Sequence, residues 1–406
     1  MAGKGLSSWA GVDRRSLLAL AAAAGFAPTA WAAEAAGPLH VPLKIRWNRP
    51  WMNVTLDGNG PYPYVLDCGT SQWLIDRRLA EALKLQGLHR ERVGGVVGEA
   101  NVNTFLVKEV LIGDGLRVPN EEFTAVALAD FFRGTVPIGL LTLYPSELSF
   151  SDSELRLWRG GGFDLGDDTV ALHVTRGNRR DEFVVDAEVD GHVLTFGLDT
   201  GDPGLLSLNR DTVRRLNLWD AYPKFTEYRA GSVTGDAFAV RDVRAKQIKF
   251  GASAFDNPVI SLTDPNAPPN SESESSLSNP GDQAGLIGMD VLRRFDLKID
   301  VRQGKIGLKA NRDFSTVWRT DRSGLTALSR RNQKGEHIAR VTGVAPGSAA
   351  DTAGLKAEDR IVLADGEYPF RDFEWDLKGP PGTRLMLTIE RGGARQQIPL
   401  ILADRI

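Results

Sequence analysis

The sequence predicts a mainly β protein made of a duplicated unit followed by a smaller third unit. Three observations carry that expectation. From Leu39 onward, short apolar runs alternate with Gly, Asn and Asp turns, the pattern of half-buried strands and hairpins. An apolar run leads into a carboxylate, with Gly two residues on, at Tyr64-Val65-Leu66-Asp67-Cys68-Gly69-Thr70-Ser71. The same plan returns at Phe196-Gly197-Leu198-Asp199-Thr200-Gly201-Asp202, and the elements around it recur in the same order. A repeat of that length marks a duplicated domain rather than a solenoid.

Length and composition set the frame. The 406 residues predict two to three domains, and 42% hydrophobic with 25% charged residues is the balance of a globular chain. Against 52 acidic residues stand 49 basic ones, in scattered pairs, so there is no basic footprint for nucleic acid. Cys68 is the single cysteine, which excludes an intramolecular disulfide and a cysteine-based zinc site. The five His are dispersed without metal-ligand spacing, so neither metal nor cofactor is expected.

Residues 1–32 read as an export signal. Asp13-Arg14-Arg15-Ser16-Leu17-Leu18 precedes the apolar run 19–26, and Ala30-Trp31-Ala32 offers small residues two apart for cleavage. The paired arginines resemble the twin-arginine export signal. An ordinary secretory signal and an uncleaved anchor are the alternatives, although the run falls short of the ~20 residues of a spanning helix. A mature start near Ala33 and a periplasmic or otherwise extracytoplasmic location follow, with no integral membrane segment after signal removal.

Element by element, 43–47 and 52–56 read as strands, and Asp57-Gly58-Asn59-Gly60 as the hairpin turn before the Asp67 strand. Residues 77–85 read as a short helix with Asp76 as N-cap. Gly94, Gly95 and Gly98 mark a glycine-rich hairpin tip, followed by strands at 104–107, 109–112 and 123–128. Residues 136–141 lead to a hairpin ending at Trp158. In the second copy, 183–189 with the Asp190-Gly191 turn matches 55–58. Residues 211–216 match the helix, and Gly231 to Gly235 the glycine-rich loop. Leu286-Ile287-Gly288 matches Pro137-Ile138-Gly139, and 295–308 matches the hairpin ending at Trp158. The units span 38–158 and 163–310. Residues 264–283, rich in Ser, Pro, Asn and Glu, predict a mobile surface insertion.

The third unit, 323–406, has strands at 337–341, 359–364, 384–391 and 397–402, with a short helix at 349–353 ended by Gly354.

The duplicated region, from Leu39 to Lys309, resembles the retropepsin and pepsin superfamily of aspartic proteases. Asp67-Cys68-Gly69-Thr70 and Asp199-Thr200-Gly201-Asp202 carry the resemblance, with the apolar-apolar-Gly elements ending at Gly139 and Gly288. The resemblance implies two closed β-barrel lobes and a catalytic pair Asp67 and Asp199. It also implies a flap from one of the glycine-rich hairpins. The fold class expected is therefore two duplicated closed β-barrel lobes of aspartic-protease type plus a small α+β third domain. Cys68 stands where the family has a hydroxyl that braces the opposite turn, and a thiol, as a weaker donor, predicts a looser brace. The alternative role for Cys68, a nucleophile, lacks a His nearby in sequence. Asp202 stands where the family has Ser or Thr. It either crowds the pair with a third carboxylate or caps the turn before Pro203.

Pro346-Gly347-Ser348-Ala349-Ala350, Ala353-Gly354-Leu355, Glu358-Asp359-Arg360-Ile361 and Asp365-Gly366 resemble PDZ domains of bacterial exported proteases. That resemblance implies a strand pairing with a peptide C-terminus, mapped to Gly335-Glu336-His337-Ile338.

Two functions follow as expectations. One is an exported aspartic endopeptidase acting on polypeptide through a water activated by Asp67 and Asp199. The other is a protease-fold protein without chemistry that binds peptides or acts as a scaffold.

Overall fold

A computed structural model describes residues 37–95, 98–113, 115–128, 132–160, 163–176, 181–231, 237–267, 283–331, 337–367 and 376–406. The export-signal region and positions 268–282 of the insertion lie outside them. Among the described residues strand far outweighs helix, a mainly β protein with several curled sheets.

The first half carries β1 (Leu39–Pro42), β2 (Lys44–Arg46), β3 (Arg49–Leu56), β4 (Asn59–Asp67), β5 (Trp73–Asp76), α1 (Arg77–Ala82), β6 (Gln86–Gly95), β7 (Gly98–Ile112), β8 (Leu116–Val126), β9 (Gly134–Pro137), α2 (Gly139–Leu143), β10 (Ser146–Ser149) and β11 (Glu154–Leu157). The second carries β12 (Thr169–Ala171), β13 (His173–Arg176), β14 (Asp181–Val189), β15 (His192–Leu198), β16 (Leu206–Leu208), α3 (Arg210–Arg215), β17 (Phe225–Gly231), β18 (Ala237–Arg244), β19 (Gln247–Phe250), β20 (Ser253–Asp256), β21 (Val259–Thr263), β22 (Gly285–Ile287), α4 (Met289–Leu292), β23 (Phe295–Asp300) and β24 (Lys305–Ala310). The C-terminal unit carries β25 (Leu325–Arg331), β26 (His337–Val344), α5 (Ala349–Thr352), β27 (Arg360–Ala364), β28 (Arg384–Arg391) and β29 (Ala394–Ile401).

Local chemistry explains the boundaries. Asp57 and Asp190 take φ of 46° and 50°, and Gly58 and Gly191 follow at 78° and 86°. This is the left-handed pair that a two-residue hairpin requires. The helix predicted over 77–85 ends earlier, at Ala82, and Lys84 beyond it takes φ 53°. Asp76 caps α1 by accepting from the Leu79 amide at 3.3 Å, and Asn209 caps α3 by accepting from Thr212 at 2.9 Å.

The duplication is explicit in the sheets. The first half orders its strands β3-β4-β9-β5-β8-β7-β6, and the second orders them β14-β15-β22-β16-β21-β18-β17. Parallel and antiparallel pairings agree step by step, with β4–β9 and β15–β22 both parallel. The end of β7 folds back onto β3, which curls the first sheet closed. In the second half β19, separated from β18 by a short break, takes that place against β14. A six-stranded sheet, β1-β11-β10-β23-β24-β12, draws strands from both halves. One apolar core runs through the two halves, and the C-terminal unit has its own. That unit is a five-stranded sheet in the order β25-β26-β27-β28-β29.

Candidate active site

Each Asp turn follows the C-terminal end of a strand that has a parallel neighbour. β4 delivers Asp67 beside Pro137 of β9, and β15 delivers Leu198, just before Asp199, beside Ile287 of β22. Inside each turn the carboxylate accepts from the amide two residues on. Gly69 N donates to Asp67 Oδ1 at 2.9 Å, and Gly201 N donates to Asp199 Oδ1 at 2.8 Å. These bonds hold each carboxylate over its own glycine.

The glycines also explain how the turns meet. A Cβ on Gly69 would sit 2.5 Å from the Asp199 carboxyl carbon, and one on Gly201 would run into the Asp67 carboxyl. Each carboxylate therefore lies against its own glycine and against the opposite one. Two residues far apart in sequence share one small space that no larger side chain at 69 or 201 would leave.

Four hydrogen bonds lock the turns together from beneath. The Thr200 hydroxyl donates to Leu66 O at 2.8 Å and accepts from Cys68 N at 3.0 Å. In the mirror position the Cys68 thiol donates to Leu198 O at 3.2 Å and accepts from Thr200 N at 3.3 Å. The thiol side is longer, as the larger sulfur radius requires, yet its geometry is complete. Burial, with the nearby Asp199 charge, pushes the Cys68 thiol up to about 12, against a smaller opposing effect of its bonds to Thr200. A thiol that stays protonated is a brace, not a nucleophile.

Asp202 caps its own turn. Its Oδ1 accepts from Gly204 N at 2.8 Å, while its amide donates to Asp199 Oδ1 at 3.0 Å. Thr70 folds over the first turn, its hydroxyl accepting from Gln72 N at 3.3 Å and its carbonyl from Ile138 N at 2.9 Å.

The glycines expected behind the turns divide. Gly288 is tightly packed: a Cβ there would lie 2.6 Å from Gly204 O and 2.9 Å from Asp202 Oδ2. Gly139 opens α2, and a Cβ added to it would meet nothing within 4 Å, so close approach does not demand glycine there. Strand register corrects the match. Val136 pairs with Leu66 as Ile287 pairs with Leu198, so Pro137, not Gly139, corresponds to Gly288. The same register aligns Gly134 with Gly285. A Cβ on either would strike a backbone carbonyl of the neighbouring strand, Leu74 or Ser207.

The two glycine-rich hairpins have different neighbours. Gly94 and Gly95 end β6, Gly98 begins β7, and Gly95 pairs with Gly98. Gln72, close after the Asp67 turn, donates to Glu91 of β6 at 3.3 Å. In the second hairpin Gly231 ends β17, and Gly235 lies outside the described residues.

Sequence reasoning missed a clamp from the first half onto the second turn. Trp47 and Asn48 turn β2 into β3 with φ of 50° and 53°. From this tip Asn48 Nδ2 donates to Pro203 O at 2.8 Å, and Arg49 Nε donates to Gly201 O at 2.6 Å. The Asn at a left-handed position is the only signal that hints at the turn; its target is a matter of tertiary packing.

The peptide strand expected at 335–338 is also revised. Gly335 and Glu336 lie outside the described residues. His337 and Ile338 begin β26, paired with Arg331 and Arg330 of β25. Strand addition needs a free edge, and the end strands of this sheet are β25 and β29.

Sequence comparison and fold together define a mainly β protein that carries a C-terminal PDZ domain: residues 340–391 match the PDZ domain family. A curated protein of Agrobacterium fabrum, named as a zinc metalloprotease, is 40% identical over 63 residues in this PDZ region. That stretch is 15% of this chain, and the chain spans 17% of the relative's length. Among solved structures, a retropepsin-like aspartic protease from Rickettsia conorii is 17% identical, covering 30% of this chain and 89% of its own, at a TM-score of 0.23. Basic 7S globulin from soybean is 10% identical, covering 70% and 97%, at 0.37. Conglutin gamma from lupine seeds is 11% identical, covering 69% and 96%, at 0.38. TM-scores below 0.5 leave these as partial likenesses in shape.

Proposed function

We propose that this chain is an aspartic-type endopeptidase of tandem, two-lobed layout, exported through residues 1–32 to the periplasm or another extracytoplasmic space. The observation that carries the reading is the reciprocal packing of the two turns, each carboxylate against the opposite glycine. Asp67 and Asp199 form the dyad. One carboxyl, ionised, takes a proton from a water whose oxygen attacks the scissile carbonyl carbon. The other, protonated, gives its proton to the carbonyl oxygen. The tetrahedral species then collapses as the C–N bond breaks, and the leaving nitrogen takes up a proton from the dyad.

Cys68 and Thr200 hold the turns, and Asp202 serves its own turn, so the two departures from the family pattern are compatible with activity. The hairpin of β6 and β7 serves as the flap, because Gln72–Glu91 ties it to the Asp67 turn. The substrate is a polypeptide, and the PDZ domain binds a peptide or partner.

The test is cleavage of unfolded casein from pH 3 to 7 by the wild type, Asp67→Asn and Asp199→Asn, with folding checked by circular dichroism. Each variant is expected to lose at least ~10²-fold in rate. Activity that survives both substitutions overturns the dyad, and no cleavage by the wild type replaces this reading with that of a peptide-binding scaffold.

A further inference from the structure

Glu91 stands on β6, and its carboxylate reaches across one face of the sheet to two other elements. Thr124 Oγ1 of β8 donates to Oε1 at 2.5 Å. Gln72 Nε2, at the entry to β5, donates to Oε2 at 3.3 Å and lies 3.5 Å from Oε1. The parallel register of β5 and β8 pairs Trp73 with Phe123 and Leu74 with Thr124. Trp73 stacks on Phe123 in the core, with ring centroids 5.1 Å apart. Strand alternation therefore puts Thr124, and the Glu91 carboxylate that it holds, on the opposite face.

The Gln72 end of this network adjoins the Asp67 turn. Thr70 N donates to Asp67 O at 3.4 Å and Gln72 N to the Thr70 hydroxyl at 3.3 Å, so the path from Asp67 to Gln72 doubles back. Five residues span at most about 18 Å even when extended. A substrate in strand conformation, at ~3.3 Å per residue, covers that span in about five residues.

Charge sets Glu91 apart. Both of its donors are neutral, and among the described residues it has no cationic partner. Glu122, on the same face, has His89 at 3.4 Å. In the same half Asp76 meets Arg78, and Glu147 and Glu154 meet Arg156. Glu91 is half-buried, and a carboxylate drawn partly out of water without a counter-charge is destabilised until one arrives. It also keeps acceptor capacity, because a carboxylate offers about four lone-pair positions and only two groups donate to this one. A lysine or arginine side chain supplies both the missing charge and further donors.

We propose that Glu91 is a specificity-determining residue, which selects polypeptides carrying a lysine or arginine within about five residues of the scissile bond. The inference rests on the reading of Asp67 and Asp199 as a proteolytic dyad and names the class of substrate that site takes. The bonds from Gln72 and Thr124 hold the carboxylate in place before the substrate arrives, so little ordering is left to the binding step.

The test is fluorescence anisotropy on the full chain carrying Asp67→Asn, which keeps substrate uncut. The probes are labelled octapeptides of alternating valine and threonine, with one lysine walked through the eight positions and norleucine as the uncharged control. Lysine is expected to bind about tenfold tighter than norleucine at one position or more. Adding Glu91→Gln should erase that preference, and adding Glu91→Lys should move it to glutamate at the same position, a reversal that a merely structural residue would not produce. Lysine no better than norleucine at every position overturns the proposal, as does a preference that survives Glu91→Gln. Either variant carries the test where the other fails to fold. Failure of the proteolytic reading shows separately, as wild-type chain that leaves the same peptides uncut.

Discussion

Cys68 does at the first turn what the Thr200 hydroxyl does at the second, donating to a carbonyl and accepting an amide across the pair. The sequence expectation of a brace survives, while that of a looser one reduces to sulfur's size and its weaker donor strength. Ser at 68 retains a donor and an acceptor, so Cys68→Ser is expected to change stability by less than ~1 kcal/mol. Cys68→Ala strands the buried Leu198 carbonyl and Thr200 amide and should cost about 1–3 kcal/mol. Urea unfolding of the two variants checks the contrast, and equal losses would refute the brace. In sequence, Asp202 is ambiguous between a third active carboxylate and a turn cap. The Gly204 amide on its Oδ1 is what distinguishes them, and that contact depends on backbone geometry no motif records.

At the scale of elements, short-range chemistry is readable and register is not. Asp76 as a cap and the Asp-Gly hairpins follow from local propensities, and each stands where the residues predict. Matching Gly139 to Gly288 fails because spacing along the chain does not encode which residue of β9 faces which residue of β4. The β2–β3 tip has the same character. Asn48 tolerates the left-handed region and uses its amide to hold Pro203. Asn48→Gly loses only the hydrogen bond, whereas Asn48→Ala adds the strain of a Cβ at positive φ. The alanine variant should be less stable than the glycine variant by roughly 1 kcal/mol in urea unfolding, and the reverse order would refute the assigned conformation.

At the scale of the whole molecule, the three units are tied by buried polar groups as well as by apolar packing. Arg322 is buried and donates to Asp404 at 2.6 Å and to Trp318 O at 3.0 Å. Asp242 of β18 is buried where the second half meets the chain leading into the PDZ domain. It accepts from Ser261 Oγ at 2.7 Å and Thr320 Oγ1 at 3.4 Å. Burial is the main cause that pushes its carboxyl from 3.8 up to about 6. Ser261, Lys378 and Thr320 act in the opposite sense, while Asp321 adds to the rise. A carboxyl whose folded-state pKa is raised contributes stability that is fully present below about 3.8 and lost as pH rises through about 6. The shift corresponds to roughly 3 kcal/mol. Asp242→Asn cannot ionise, so its melting temperature should exceed that of the wild type at pH 8 and converge with it near pH 4. A constant difference across that range would exclude Asp242 as the source.

The mainly β class, the duplication, the two Asp turns and the PDZ domain are all legible in the chain alone. Alternation of apolar residues, turn chemistry and motif spacing are local properties written along it. Three further facts come from the folded molecule. The turns lock reciprocally, Asn48 and Arg49 clamp the second turn, and Glu91 meets Gln72 and Thr124. These depend on which distant backbones approach each other. That is set by the packing of sheets in three dimensions, and no window of neighbouring residues contains it.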